Sequence, residues 1–247
     1  MQRFEKRVKK VMKTCDVVIM LVDSRMPDET RLPQLINLTK KMRRYLITVA
    51  TKSDLISEEQ QKILRNSGII TVSSKKRFGK EELLELLQSR VRNKRIYVAI
   101  VGYPDVGKSS LINYLSGSKK ARVSPIANTT RGQQFIRLSE EILLVDTPGV
   151  FDKDSLTSLA IKGAISPEQI ADAVPVIVKI IKRLLKKDEI SRLEYYSFKT
   201  KESDIELIVE DLLEHVAKKR NLKLKGGEYN IDEAAKIIMR DYQRGVW

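Results

Sequence analysis

Cysteine, tryptophan and histidine each occur once in these 247 residues, and aromatic residues make up only 6% of the chain. A single Cys15 excludes an internal disulfide. Beside the run VVIM it reads as a small buried hydrophobe rather than a nucleophile. The lone His215 excludes a site built from several imidazoles, and on an amphipathic stretch it reads as a surface or packing residue. No apolar run approaches the roughly 20 residues of a membrane span. The start MQRFEKRVKK followed by VVIMLV imitates a secretory leader, but the apolar run is short and bounded by Asp16 and Asp23. No membrane partner is expected, and the cytoplasm is the expected compartment.

Negative charge is also scarce. Against 47 Lys and Arg stand 32 Asp and Glu, a formal net charge of +15. The excess is uneven: residues 1–150 hold 29 basic and 15 acidic side chains, and residues 151–247 hold 18 and 17. An anionic partner is implied for the first part, and nucleic acid is the commonest large polyanion a soluble protein meets. With 42% hydrophobic residues the chain can bury one good-sized core or two smaller ones.

What is abundant is short, strongly apolar runs. DVVIMLVD (16–23), YLITVAT (45–51), GIITVSS (68–74), RIYVAIVG (95–102) and EILLVD (141–146) read as strands buried on both faces of a parallel sheet. QFIRLS (134–139) alternates and suits an edge. Helical patterns lie between them, among them 57–67, opened by Ser57 as a cap, and 80–93. The βαβ rhythm predicts an α/β fold with a doubly wound, mostly parallel sheet. After Val150 the rhythm stops. The stretches 167–187, 203–220 and 230–244 carry apolar residues at helical spacing, with Pro175 expected to kink or split the first and Gly226 and Gly227 marking a loop. The expected organisation is an α/β domain over 1–152 and a small all-α domain over 153–247, with no internal repeat.

The chemistry-bearing segments fall at predicted strand ends. GYPDVGKSS (102–110) follows a strand and opens a helix, the setting in which a glycine-rich loop cradles phosphate. Asp105, Val106, Gly107, Lys108, Ser109 and Ser110 belong to it. Lys108 would reach the β- and γ-phosphates, and the Ser109 hydroxyl would ligate Mg2+. DTPG (146–149) closes another strand; Asp146 can hold the metal through water, and the Gly149 amide can bond a γ-phosphate oxygen. In ANTTRGQQ between them, Thr130, or else Thr129, could complete the metal shell, with a plain Ser/Thr turn as the competing reading.

Upstream, TKSD (51–54) offers a carboxylate, Asp54, that can accept two hydrogen bonds from guanine, which adenine cannot offer. An ATPase is disfavoured on that ground. The Lys52 stem can pack on the base face. SSKK (73–76), with Ser73, Ser74 and Lys75, could present the Ser74 amide to the guanine oxygen.

These segments resemble the conserved boxes of Ras-like GTPases, in permuted order: base recognition first, phosphate loop later. In that order the chain resembles the YlqF/YawG family of circularly permuted GTPases. The tail pieces LAIKGAI (159–165) and 217–245 resemble that family's helical domain. The resemblance implies a P-loop GTPase that binds GTP and GDP with Mg2+ and acts in large-ribosomal-subunit assembly. Its implied partners are the subunit precursor, rRNA and ribosomal proteins, met as a monomer.

Departures qualify the carry-over. The base box starts with Thr51 where the family has Asn, so a contact ordering the loop is expected to weaken. Asp105 stands where Asn is common, at a position resembling a K+ ligand of cation-dependent GTPases. The catalytic His that some family members carry near the N-terminus has no counterpart, and Val150 stands where Ras-like enzymes place the water-orienting Gln, so slow intrinsic turnover is expected, stimulated by ribosomal particles or K+. A nucleotide-regulated RNA-binding module with negligible hydrolysis is the alternative.

Overall fold

The computed structural model describes residues 8–92, 94–117, 135–145 and 154–246. The chain forms two compact units, Met1–Lys153 and Asp154–Trp247.

The first unit is a six-stranded sheet: β1 (Val17–Asp23), β2 (Tyr45–Thr51), β3 (Ile70–Thr71), β4 (Ile96–Val101), β5 (Phe135–Arg137) and β6 (Ile142–Val145), in the order β3-β2-β1-β4-β6-β5. All neighbours are parallel except β5, which runs antiparallel to β6 at the edge. Every residue of β1 and β6 is buried, as strands covered on both faces must be. Each fully buried Val, Leu or Ile contributes about 1.5–3 kcal/mol, so the central strands are a major source of this unit's stability.

Helices supply the covering apolar faces. Pro33–Lys41 buries Leu35 and Leu38, Lys80–Gln88 buries Leu83 and Leu87, and Lys108–Ser116 buries Leu111, Ile112 and Leu115. Glu58–Asn66 starts at a capping box: the Ser57 hydroxyl accepts from the Gln60 amide, and the Gln60 side chain accepts from the Ser57 amide. Its Leu64 packs with Val22, Ala50 and Ile69. Cys15 is buried, and burial, the largest influence, helps push its thiol pKa up to about 12, which keeps it a protonated packing group.

Three expectations need adjusting. The third strand is only two residues long: Val72 still donates to the Ala50 carbonyl of β2, but its own carbonyl accepts the Ser53 amide of the turn after β2, and Ser73 pairs with Phe78 of the next loop. The helix expected over 80–93 stops at Gln88. Pro175 neither kinks nor splits a helix; it lies in the first turn of Val174–Lys186, where its missing amide has no intrahelical acceptor to lose.

The second unit is helical, with Leu156–Ile161, Val174–Lys186, Ile205–Lys219 and Ile231–Arg244 packed together. Val174–Lys186 buries Ile177, Ile180 and Leu184 among others, Ile205–Lys219 buries Ile208, Leu212 and Val216, and Ile231–Arg244 buries Ala235, Ile238 and Met239. Asp204 and Asn230 cap the last two helices by accepting first-turn amides. His215 is a packing residue here: its Nε2 donates to the Tyr196 carbonyl at 3.0 Å, and its ring meets Phe198 edge-on. A single antiparallel bridge, Lys223 to Tyr229, closes the loop around Gly226 and Gly227. No described helix is long and apolar enough to cross a membrane.

Candidate functional site

The loop between β4 and the helix Lys108–Ser116 is shaped by two glycines for different reasons. A Cβ on Gly102 would come within 2.9 Å of Val106 Cγ1 and 3.0 Å of Leu21 Cβ, so close packing demands glycine there. Gly107 has φ +100°, a backbone conformation that side chains oppose. Tyr103 and Val106 are buried and anchor the loop from beneath, while Asp105 is exposed with φ 54°, a left-handed conformation that Asp tolerates better than most residues. Lys108 is the first helical residue, and Ser109 and Ser110 follow, exposed, in the first turn. The N-terminal turn of a helix, through its amides and its dipole, favours an anion. Glycine approach, exposed hydroxyl and helix terminus together fit a phosphate chain with a divalent ion at Ser109.

The TKSD segment leaves β2 beside this loop. Thr51 is buried, and its Oγ1 lies within hydrogen-bonding reach of the Val106 carbonyl and 3.1 Å from the Val22 carbonyl. One hydroxyl has one proton, so it serves these two acceptors in turn or by sharing. Thr51 thus ties the base-recognition segment to the phosphate loop through the Val106 carbonyl, and Thr51 Cβ also lies 3.4 Å from where a side chain on Gly107 would begin. Lys52 follows at φ 57°, and Ser53–Leu55 forms one 3-10 turn. Buried Ser53 ties that turn down, its amide donating to the Val72 carbonyl and its hydroxyl to the Ala50 carbonyl.

Asp54 is oriented by the other predicted segment. Ser73 Oγ donates to Asp54 Oδ1 at 2.6 Å and accepts the Lys76 amide at 2.9 Å. Asp54 Oδ2 has no hydrogen-bond or ion-pair partner among the described residues. Ser73 and Phe78 exchange backbone hydrogen bonds at 3.1 Å, closing a loop over Ser74, Lys75, Lys76 and Arg77. Lys80 links this loop to the phosphate-loop helix by donating to the Tyr114 carbonyl at 3.1 Å and lying over the Tyr114 ring. The structure thus brings Thr51, Lys52, Asp54, Ser73 and the loop 102–110 to the same, C-terminal edge of the sheet, where ligands of such sheets collect. Thr129, Thr130, Asp146, Gly149 and Val150 lie outside the described residues.

Sequence reading missed Asp23, Ser24 and Arg25. Asp23 ends β1, is 1% exposed, and accepts from Arg25 Nε (2.9 Å), Arg25 Nη2 (2.7 Å) and the Arg25 amide (3.0 Å), with Lys52 Nζ at 3.0 Å. Burial alone would raise its pKa, but the Arg25 hydrogen bonds and charge, with Lys52, outweigh that and hold it well below the usual carboxylate range. The signal available was an acidic residue ending an apolar run with Arg two residues on.

Comparison with known proteins agrees with this geometry. The profile of 50S ribosome-binding GTPases matches residues 97–223, and that of the RsgA GTPase residues 2–155. A GTP-binding protein of Methanocaldococcus jannaschii is 36% identical over 98% of this chain and 65% of its own length. Nuclear/nucleolar GTPase 2 of Arabidopsis thaliana is 34% identical over 96% of this chain and 42% of its own. The chain thus spans less than two thirds of the length of these curated relatives. The crystal structure of GNP-bound YlqF from T. maritima shares the fold, with a TM-score of 0.66 and 22% identity over 98% of this chain and 94% of that one.

Proposed function

The chain belongs to the circularly permuted GTPases of the YlqF type, and from that premise we propose that it binds GTP, hydrolyses it to GDP and phosphate, and acts on precursors of the large ribosomal subunit. The observation that carries the reading is the Asp54 carboxylate, with Oδ1 engaged by Ser73 and Oδ2 left for a base, at the sheet edge shared with the phosphate loop. Two acceptor oxygens held in place match the paired donors of guanine.

In this reading Lys108 and the amides around Gly107 bind the phosphates, Lys52 flanks the base, and Ser74 and Lys75 border the base pocket. Mg2+ is held by Ser109 with Thr130 and Asp146, and the Gly149 amide reports the γ-phosphate. Exposed Asp105 is a candidate K+ ligand beside the phosphates, where a cation would offset charge developing in the transition state. The basic first unit meets rRNA and ribosomal proteins, and the cytoplasm is the compartment this reading assigns.

Competition of GTP, ATP and XTP against labelled GDP tests base recognition. The parent is expected to prefer GTP strongly, and Asp54→Asn to shift preference toward XTP, because an amide can donate to the oxygen that xanthine adds. Unchanged guanine preference in the folded variant would move base recognition elsewhere. Val150 beside the γ-phosphate segment supports a second reading, a nucleotide-regulated RNA-binding module, since an apolar side chain cannot orient water. Single-turnover hydrolysis with and without large subunits, in K+ or Na+, separates the two: acceleration by particle or K+ favours the enzyme, and negligible hydrolysis throughout the module.

A further inference from the structure

The base-recognition turn is gripped from outside its own motif. Asp23 and Thr51 are register partners in the parallel pair β1 and β2, so the two chains leave the sheet side by side. The Ser24 amide donates to the Thr51 carbonyl at 3.0 Å, and the Ser24 hydroxyl donates to the Lys52 carbonyl at 2.9 Å. Asp23 Oδ2 lies 3.0 Å from Lys52 Nζ. Lys52 is therefore held at both ends, by its carbonyl and by its ammonium group.

Lys52 needs holding. With φ 57° it occupies the left-handed region, which a lysine adopts only where its surroundings over-determine it. Its long side chain would otherwise sample many rotamers, and fixing it at the moment of ligand binding would weaken affinity. The anchor itself is rigid. The Asp23 amide donates to Thr30 Oγ1 at 2.9 Å, Thr30 Oγ1 donates to the Met26 carbonyl at 2.7 Å, and Arg25 clamps the carboxylate through two side-chain nitrogens. A carboxylate this buried, with Arg25 10% and Lys52 23% exposed, gains little from ion pairing over leaving the same charges in water. What the arrangement does secure is one position for Lys52, two residues from Asp54.

We infer that Asp23 and Ser24 are positioning residues of the guanine site, preorganising the backbone and stem of Lys52 for the face of the base. This rests on the GTP-binding reading above. The positioning acts at the base end alone, so it is blind to the number of phosphates.

The test is a double-mutant cycle of Asp23→Asn and Lys52→Ala, read as Kd for labelled GDP and GTP, with circular dichroism confirming the fold. Each single variant is expected to weaken GDP and GTP alike by about tenfold, the scale of one charge-assisted hydrogen bond. The double variant should be no weaker than the worse single one, because the two substitutions remove one shared interaction. Tripolyphosphate, which has phosphates and no base, should compete equally well in parent and variants, an outcome that general damage to the fold would not give. Unchanged affinity, additive losses, or an equal loss for tripolyphosphate would each overturn the inference. Should Asp23→Asn fail to fold, Ser24→Ala removes only the hydroxyl bond to Lys52 and is expected to cost about threefold; a folded Ser24→Ala chain binding GDP as the parent does would overturn it equally. A parent that binds no guanine nucleotide would overturn the functional reading beneath, whereas a binding parent with unaffected variants overturns the positioning alone.

Discussion

Asp23 couples the candidate site to stability through its protonation. Its pKa is held below the usual range in the folded chain, while in the unfolded chain it returns to about 3.9. Between those values the unfolded state binds the proton that the folded state refuses, so stability must rise with pH across that window. The contribution is complete above about pH 5 and fades as pH falls below about 4. Asp23→Asn should cost on the order of 3 kcal/mol at pH 6, since it leaves two cations facing a neutral group in a site where Asp23 is 1% exposed. Urea unfolding of parent and variant at pH 6 and pH 3.5 checks this: the gap should narrow at the lower pH, and a constant gap would mean that the charge is not what matters. At this scale legibility follows sequence distance. The Ser57 to Gln60 box was readable because its partners are three residues apart. Asp23 and Lys52 were not readable as a pair, because only the register of β1 against β2 brings them together.

At the scale of elements, two glycines with nearly the same φ separate conformational preference from packing. Gly68 (φ +75°) follows the helix Glu58–Asn66 and Gly79 (φ +79°) precedes Lys80–Gln88. A Cβ on Gly68 would meet nothing within 4 Å, whereas one on Gly79 would fall 2.0 Å from the Thr71 carbonyl oxygen. Gly68→Ala should therefore cost about 1 kcal/mol, the left-handed penalty alone. Gly79→Ala must also push backbone away from backbone, and should cost about 3 kcal/mol or more. Denaturant midpoints of the two variants check this, and similar losses would show that the contact at Gly79 is relieved without cost. The third strand, too, is shaped by tertiary partners, being shorter than its apolar run. GIITVSS is β-like over seven residues, but only Ile70 and Thr71 pair in register with β2. Val72 keeps one bond to β2 through the Ala50 carbonyl, but its own carbonyl goes to Ser53 and Ser73 goes to Phe78, tertiary partners that propensity cannot announce. Pro175 shows the opposite failure: its rule was right, but the helix start lay one residue before it rather than several.

At the scale of the whole molecule, the permutation was legible because it is a statement about order. The strands leading into TKSD and the SSKK turn occupy one side of the sheet, and β4 with its phosphate loop stands between β1 and β6. Rejoining the chain elsewhere leaves every strand with the neighbours an unpermuted domain would have, so the site survives the change of connectivity. Charge distribution is the other whole-chain property visible from sequence, and it leads to the last prediction. Residues 1–150 hold 29 basic and 15 acidic side chains, and Lys75 and Lys76 lie exposed on the loop that Ser73 and Phe78 close. If that loop touches rRNA, each lysine releases a counterion from the phosphate backbone on binding. Association with large-subunit particles should then fall linearly on a plot of log affinity against log salt concentration, and the double variant Lys75→Ala, Lys76→Ala should make the slope shallower by about 1.5. GDP affinity measured on the same double variant guards against an indirect effect through the neighbouring Ser73 and Asp54. A parallel line, weaker at every salt concentration but no shallower, would mean that the two lysines act through the nucleotide site, and the contact surface would have to be sought among the other basic residues of the first unit.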